Sequence, residues 1–378
     1  MIPLHRPVLA GDEAANAAEV LGSGATRAGG SWSERAGSLL SDALDGRPVL
    51  LTTSCTAALE LAALVLDVRP GDTVVLPSYT FPTTASAFLR AGASVRFADI
   101  EATRLGLDPA SVAERMDDSV VAVVPVHYAG VACDVDGLLA VLDRWPRARL
   151  VEDAAHGLFG SHRGRPLGAL GTIGVVSFHE TKTFSCGEGG AIVLGPDVDV
   201  DRAWTLWDKG TDRRAFLAGR TEAYTWQEVG TSSGMSEVLA AVLVAQLRKG
   251  TTWLAHRRRA IAHYLDRLAP AVADHGVTLF PDLAEEASAA HLFPLLLPPG
   301  VDRAGVIADL AATRVASAFH FTPLHTSPAG RRADPAADAP VTADVACRLL
   351  RLPLDSVVTD EEVERSAAAL LASLRSRR

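Results

Sequence analysis

Between residues 48 and 195 the chain repeats one texture: a short run of consecutive apolar residues, a helical pattern, then another run. The runs are PVLLTTS, TVVLPS, SVRFADI, VVAVVPVH, RLVEDAA, TIGVVSFH and GGAIVLG. Each has the length of a strand, and most carry Val, Leu or Ile at successive rather than alternate positions. A strand with one wet face alternates apolar and polar residues, whereas a strand covered on both faces is apolar throughout. TAALELAALVL, TTASAFLRAG and DVDGLLAVLDRW read as helices between the runs. The alternation predicts an α/β layer fold on a mostly parallel, doubly covered sheet.

The texture changes after about residue 235. The segment from Met235 to Gly276 reads as one or two long helices, with Arg257 to Arg259 as a basic triplet on a solvated face. HLFPLLLPPG reads as a strand, DRAGVIADLAATRV as a helix and PAGRRADPAADAPV as a loop, and a last helix starts near Thr359. A chain of 378 residues is long for one core. The expected division is a large domain over 1–250 and a smaller α+β domain over 251–378.

The formal net charge of −9 leaves no overall basic footprint, so nucleic acid is not an expected partner. Cys55, Cys133, Cys186 and Cys347 are scattered without a CxxC pair, which suits a reducing cytoplasm. The first residues carry Asp12 and Glu13 where a secretory leader is apolar. Apolar stretches such as VLAAVLVAQL fall well short of the roughly 20 residues of a membrane span. HETK lacks the second histidine of HExxH, and no Cys/His cluster has ligand spacing, so no metal site is expected.

Of 36 basic residues only three are lysines: Lys182, Lys209 and Lys249. Lys182 lies in SFHETKTFSCGEGGA, just past a predicted strand and beside a glycine cluster. A lysine amine can lose its proton when buried and attack a carbonyl; a guanidinium cannot. Three more features sit at strand ends. LTTSCTAALELAAL starts a helix with Ser54 or Thr56 as its cap, and the free N–H groups there suit an anion. RLVEDAAHG runs a strand into Glu152, Asp153 and, three residues on, His156. LPSYTFPTTA supplies Tyr79 and Phe81. Taken singly, these read as a surface lysine, a helix cap, a turn carboxylate and core aromatics. Together they meet the needs of pyridoxal phosphate: an amine for its aldehyde, a carboxylate for its ring nitrogen, an anion site and an aromatic face.

The segments TSCTAALELAAL, LPSYTFPTTASAF, VEDAAHG, GTIGVVSFHETKTFSCGEGGA, LWDKGTDRRAF, FHFTPLHTSPAG and RLLRLPL resemble the DegT/StrS-type sugar aminotransferases. That resemblance covers nearly the whole chain and implies the fold type I architecture of pyridoxal-phosphate enzymes, with a seven-stranded mostly parallel sheet. SFHETK with EGGA, DKGTDR and YTW is most similar to the dTDP-4-amino-4,6-dideoxygalactose transaminase branch. The resemblance implies that Lys182 holds the cofactor covalently and shuttles the proton, with Asp153 at the ring nitrogen and Phe81 stacked on the ring. It also implies His156 near the phenolic oxygen, Thr56, Ala57 and Ser177 at the phosphate, and Glu188 and His325 near the sugar. The implied reaction moves an amino group from an amino acid, L-glutamate by analogy, to C4 of a dTDP-4-keto-6-deoxyhexose. Galacto and gluco products stay open. Rival readings on the same fold are 3-amino transfer, deoxygenation or a non-catalytic regulator. A homodimer with shared sites is implied. However, an Asn that reaches the neighbouring subunit's phosphate in many relatives is replaced by Ser232, Ser233 and Gly234 in GTSSGMSE.

Overall fold

A computed structural model describes residues 1–9 and 11–377. The strands in chain order are β1 (Val49–Thr52), β2 (Thr73–Pro77), β3 (Ser94–Ala98), β4 (Val120–Val123) and β5 (Arg149–Asp153). A two-residue hairpin follows, β6 (Ser161–His162) and β7 (Arg165–Pro166), then β8 (Ile173–Ser177), β9 (Gly190–Leu194), β10 (Phe293–Leu296) and β11 (Leu349–Leu352). All seven runs from the sequence form strands of one sheet, in the order β1-β9-β8-β5-β4-β2-β3. Pairing from β3 through β2, β4 and β5 to β8 is parallel, and β9 runs antiparallel to both β8 and β1.

The consecutive apolar runs follow from burial on both faces, because successive side chains on a strand point opposite ways. Leu50, Val175 and Ile192 pack on one face with Leu59 and Phe88 from the helices Cys55–Val65 and Pro82–Arg90. Their chain neighbours Leu51, Val176 and Val193 pack on the other, with Leu40 and Val244 from the helices Ser31–Ala43 and Glu237–Leu247. Toward β4 that second face is covered through Val75, Val123 and Leu150 by Val112 and Leu138.

The C-terminal segments build another core. Ile261 and Tyr264 of the helix Gly250–His275 pack with Phe293 of β10, Leu350 of β11 and Leu370 of the helix Asp360–Ser376. β10 and β11 pair antiparallel. Tyr79 and Tyr128, from the ends of β2 and β4, join this core, so the sheet's strand ends abut it.

Two sequence expectations fail. PAGRRADPAADAPV is not a loop throughout: the helices Pro328–Ala333 and Pro340–Arg348 start within it, each with proline in its first turn, where the missing N–H costs nothing. The arginine triplet is not a solvated face. Arg257 is fully buried, and its Nε and Nη2 donate to the carbonyls of Ala290 and His291 at 2.7 and 2.5 Å. Arg258 bonds the carbonyl of Ser288, and only Arg259 is exposed. The long segment resolves into two helices, Glu237–Leu247 and Gly250–His275.

Candidate active site

The carboxyl ends of the sheet strands open into a cleft of about 400 Å³. Ligands in open α/β sheets bind at this end, where loops leave the strands. Lys182 lines it from the loop after β8, held by a turn in which its N–H donates to the His179 carbonyl at 2.8 Å. Lys209 pairs with Asp208 at 2.6 Å and Lys249 bonds Glu13, but the Lys182 amine has no hydrogen bond or ion pair among the described residues. Burial lowers its pKa from the ordinary lysine value; Cys55 and Asp153 pull it back up, and Arg351 pushes it further down.

Asp153 ends β5 and is 5% exposed. The Thr84 hydroxyl donates to its Oδ2 at 2.8 Å and the Ala155 N–H to its Oδ1 at 3.2 Å. Burial nevertheless raises its pKa, against the opposing pull of Thr84, Ala155, Lys182 and His127. Neutral donors leave this buried carboxylate short of a cation. Glu152, one residue earlier, points the opposite way and is filled by the N–H groups of Gly168, Leu170 and Gly171. The strand's period of two thus decides which of the two acids serves the cleft.

His156 is buried beside Lys182's cleft, and its Nδ1 accepts the Ala129 N–H at 3.3 Å. With burial holding its pKa well below the usual histidine value, it is neutral, and Nε2 carries the proton as a donor. Its ring lies 4.3 Å from His291 and parallel to His320.

At the end of β1, Ser54 caps the helix Cys55–Val65 by accepting the Ala57 N–H at 3.0 Å. The cap is therefore Ser54, not Thr56. The Ala57 N–H, expected at the phosphate, is bonded to the Ser54 hydroxyl in this structure. Cys55 and Thr56 do line it, with first-turn N–H groups that have no carbonyl behind them in the helix. Gly190 of β9 permits this arrangement, since a Cβ there would lie 2.4 Å from the Ser54 carbonyl carbon and the Cys55 nitrogen. Ser177, at the end of β8, also lines the cleft.

Phe81 is 59% exposed at the cleft mouth, while Tyr79 is buried in the C-terminal core with its hydroxyl donating to the His320 carbonyl. Glu188 lines the cleft from an exposed position, 3.6 Å from the His179 ring. His325 does not reach the cleft: its Nδ1 and N–H both bond the Ser78 hydroxyl, at 2.6 and 3.1 Å, which clips the short turn Leu324–Thr326 to the end of β2. His320, earlier in the same segment, lines the cleft instead. The Ser233 hydroxyl pairs with the Thr231 hydroxyl at 2.8 Å, and the Ser233 carbonyl accepts the Thr53 N–H at 2.8 Å.

Sequence reasoning passed over His291, His320, Thr84 and Arg351. His320 and Arg351 fall within FHFTPLHTSPAG and RLLRLPL, which carried part of the resemblance, but no spacing links them to Lys182.

These residues fit pyridoxal phosphate: an unpaired amine for the aldehyde, a buried acid short of a cation for the ring nitrogen and a neutral imidazole N–H for the ring oxygen. A helix start with open N–H groups suits the phosphate. Among the described residues, no group of three or more His, Cys, Asp or Glu is placed to hold a metal, and no helix is long and apolar enough to cross a membrane.

The DegT/DnrJ/EryC1/StrS aminotransferase family matches residues 7–371. Among solved structures, the chain is similar to the aminotransferase TlmJ from Streptoalloteichus hindustanus: 27% identity, 100% and 99% of the two chains covered, TM-score 0.90. It is also similar to DesV from S. venezuelae: 27% identity, 99% and 98% covered, TM-score 0.88. A third is the PMP form of Spr1654 from Streptococcus pneumoniae: 25% identity, 100% of both chains covered, TM-score 0.89.

Proposed function

The chain belongs to the DegT/DnrJ/EryC1/StrS aminotransferase family, whose members depend on pyridoxal phosphate, and from that premise we propose its substrates and the roles of its residues. The reaction is amino transfer from an amino acid, L-glutamate, to C4 of a dTDP-4-keto-6-deoxyhexose, giving a dTDP-4-amino-4,6-dideoxyhexose. The observation that carries it is the unpaired Lys182 amine in one cleft with the buried Asp153 and the neutral His156. SFHETK with EGGA, DKGTDR and YTW supports the choice of sugar.

Bound pyridoxal phosphate supplies an electron sink for the pair left behind when a proton leaves the carbon beside the nitrogen. Lys182 would be the attachment point and, once freed, the base whose Nζ takes up that proton and gives it back. Burial shifts its balance toward the neutral, proton-accepting form. Asp153 holds the ring nitrogen protonated, oriented by Thr84 and Ala155. His156 donates from Nε2 to the ring oxygen. Thr56 and Ser177 hold the phosphate, and Phe81 covers the ring at the cleft mouth. Glu188 faces the sugar.

The same reading includes a homodimer with shared sites, a large domain over 1–250 and a small one over 251–378, and a cytoplasmic setting. Phe216, Leu217, Tyr224 and Trp226 are exposed apolar residues available to a second copy. The start of the helix Gly250–His275 supports the boundary, and four unpaired cysteines support a reducing compartment.

The test is incubation with L-glutamate and dTDP-4-keto-6-deoxyglucose, with NMR of the product. Nitrogen at C4 and one equivalent of 2-oxoglutarate are expected, and the C4 coupling constants separate galacto from gluco. A 3-amino product, a deoxygenated sugar or no turnover would replace the reading.

A further inference from the structure

His291 stands in the segment leading into β10, 4% exposed, and lines the cleft. Its backbone is held on two sides. The His291 N–H donates to the Ala129 carbonyl at 3.0 Å, and its carbonyl accepts Arg257 Nη2 at 2.5 Å. Just before it, the Ala289 N–H donates to the Gly130 carbonyl at 2.8 Å. The approach there is close: Gly130 has φ +91°, and a Cβ on it would lie 2.8 Å from Ala289 Cβ and 3.0 Å from the His156 carbonyl oxygen. The imidazole therefore leaves a fixed backbone, and it meets both halves of the site. Its Nδ1 is 3.1 Å from the hydroxyl of Thr183, the residue after Lys182, and its ring centre is 4.3 Å from that of His156 with the planes 34° apart.

We propose that His291 is a positioning residue for the amino transfer: through the Thr183 hydroxyl it fixes the loop that carries Lys182, and with its ring it backs the imidazole of His156. The assignment rests on the roles given above to Lys182 and His156. Beyond its own turn, the lysine loop is bonded at Glu180, whose carbonyl accepts His5 Nε2 at 3.0 Å, and at Ser185, whose N–H donates to Gln246 Oε1 at 3.3 Å. Of these ties, the Thr183 contact stands next to the lysine. A lysine stem is flexible, so the amine is aimed by the backbone that carries it. A misplacement of about 1 Å at a reacting group can cost on the order of a hundredfold in rate. The ring contact also needs His291 uncharged. Burial, and after it the charges of His156, Lys182, Arg257 and His5, hold its pKa well below the usual histidine value. Two neutral imidazoles can then lie in contact without charge repulsion. A neutral imidazole offers one N–H and one lone pair, and a hydroxyl can match either at Nδ1.

The experiment separates the two contacts by variant. T183V removes the hydroxyl and keeps the shape, H291N keeps a polar group at the Nδ1 position and removes the ring, and H291A removes both. The first readout is the rate at which cofactor-free protein takes up pyridoxal phosphate on Lys182, followed by absorbance, with borohydride reduction and peptide mapping to confirm the lysine. T183V and H291A are expected to slow uptake about tenfold or more, and H291N to keep it within about threefold of wild type. Adding T183V to H291A is expected to change the rate less than about twofold, because the contact is already gone. The second readout is the pH midpoint of the bound cofactor's visible absorbance, which the His156 donor at the ring oxygen helps to set. H291N is expected to move it by about half a unit or more, and T183V to leave it in place. The assignment is overturned if T183V takes up cofactor at the wild-type rate, if it slows H291A as much as it slows wild type, if H291N is as slow as H291A, or if H291N leaves the midpoint unchanged. T183V decides even if H291A does not fold. Wild type that takes up no pyridoxal phosphate on Lys182 overturns the lysine's role and this assignment together, whereas normal wild-type uptake with unaffected variants overturns this assignment alone.

Discussion

Asp153→Asn separates charge from shape at the centre of the site. Asparagine is nearly isosteric, and the local hydrogen bonds can adapt. Its Oδ1 can accept the Ala155 N–H, and its amide can face Thr84. The Thr84 hydroxyl is 2.9 Å from the Thr80 hydroxyl, and that pair can reverse direction so that Thr84 accepts. The change therefore removes a negative charge and little else. Losing one partner of a buried charge pair costs about 2–5 kcal/mol, so single-turnover amino transfer should slow roughly thirtyfold to a few thousandfold. The cofactor-free protein should respond in the opposite sense. Burial raises the folded-state pKa of Asp153, so folding is penalised once pH exceeds the ordinary carboxylate pKa of about 4. Asparagine removes that penalty. Cofactor-free Asp153→Asn should be at least as stable as wild type at pH 7, with the difference vanishing as pH falls below about 4. Stopped-flow absorbance and urea unfolding at several pH values measure the two effects. A rate within about threefold of wild type, or a large loss of stability at pH 7, would refute the reasoning.

Reductive alkylation of the cofactor-free protein with a small aldehyde near pH 8 should label Lys182 before Lys209 and Lys249, since burial lowers its pKa and the other two are ion-paired; peptide mass spectrometry reads the order. Arg257→Ala should destabilise the protein by about 2–4 kcal/mol, because the carbonyls of Ala290 and His291 lose a charged donor, and urea unfolding at pH 7 checks it. Ser54→Ala should cost about 1 kcal/mol of stability through the lost cap and also weaken cofactor retention, measured by dialysis, because the helix start frays.

The strands were legible because burial on both faces leaves a direct mark, the consecutive apolar run, and all seven runs became strands of one sheet. Lys182 stood out because lysine is scarce and this one lies just past a strand, beside a glycine cluster. Arg257 was misread although a signal existed. It falls four residues after Trp253 and before Ile261, on the buried stripe of its helix, and helical phase outweighs the company of two neighbouring arginines. The exchange of His325 for His320 was not legible. Both lie in one loop, and only the Ser78 contact and the path of the chain decide which ring enters the cleft. The cap was ambiguous because Ser54 and Thr56 both suit the position, and only the hydrogen bond from the Ala57 N–H picks Ser54.

The central claim is that the Lys182 amine carries the cofactor and moves the proton. Borohydride reduction of the holoenzyme, followed by peptide mapping, tests it most directly. The expected result is a pyridoxyl group on Lys182 alone, with Lys182→Ala lacking both the label and turnover. A label on Lys209 or Lys249, or a Lys182→Ala variant that transaminates at the wild-type rate, would contradict it.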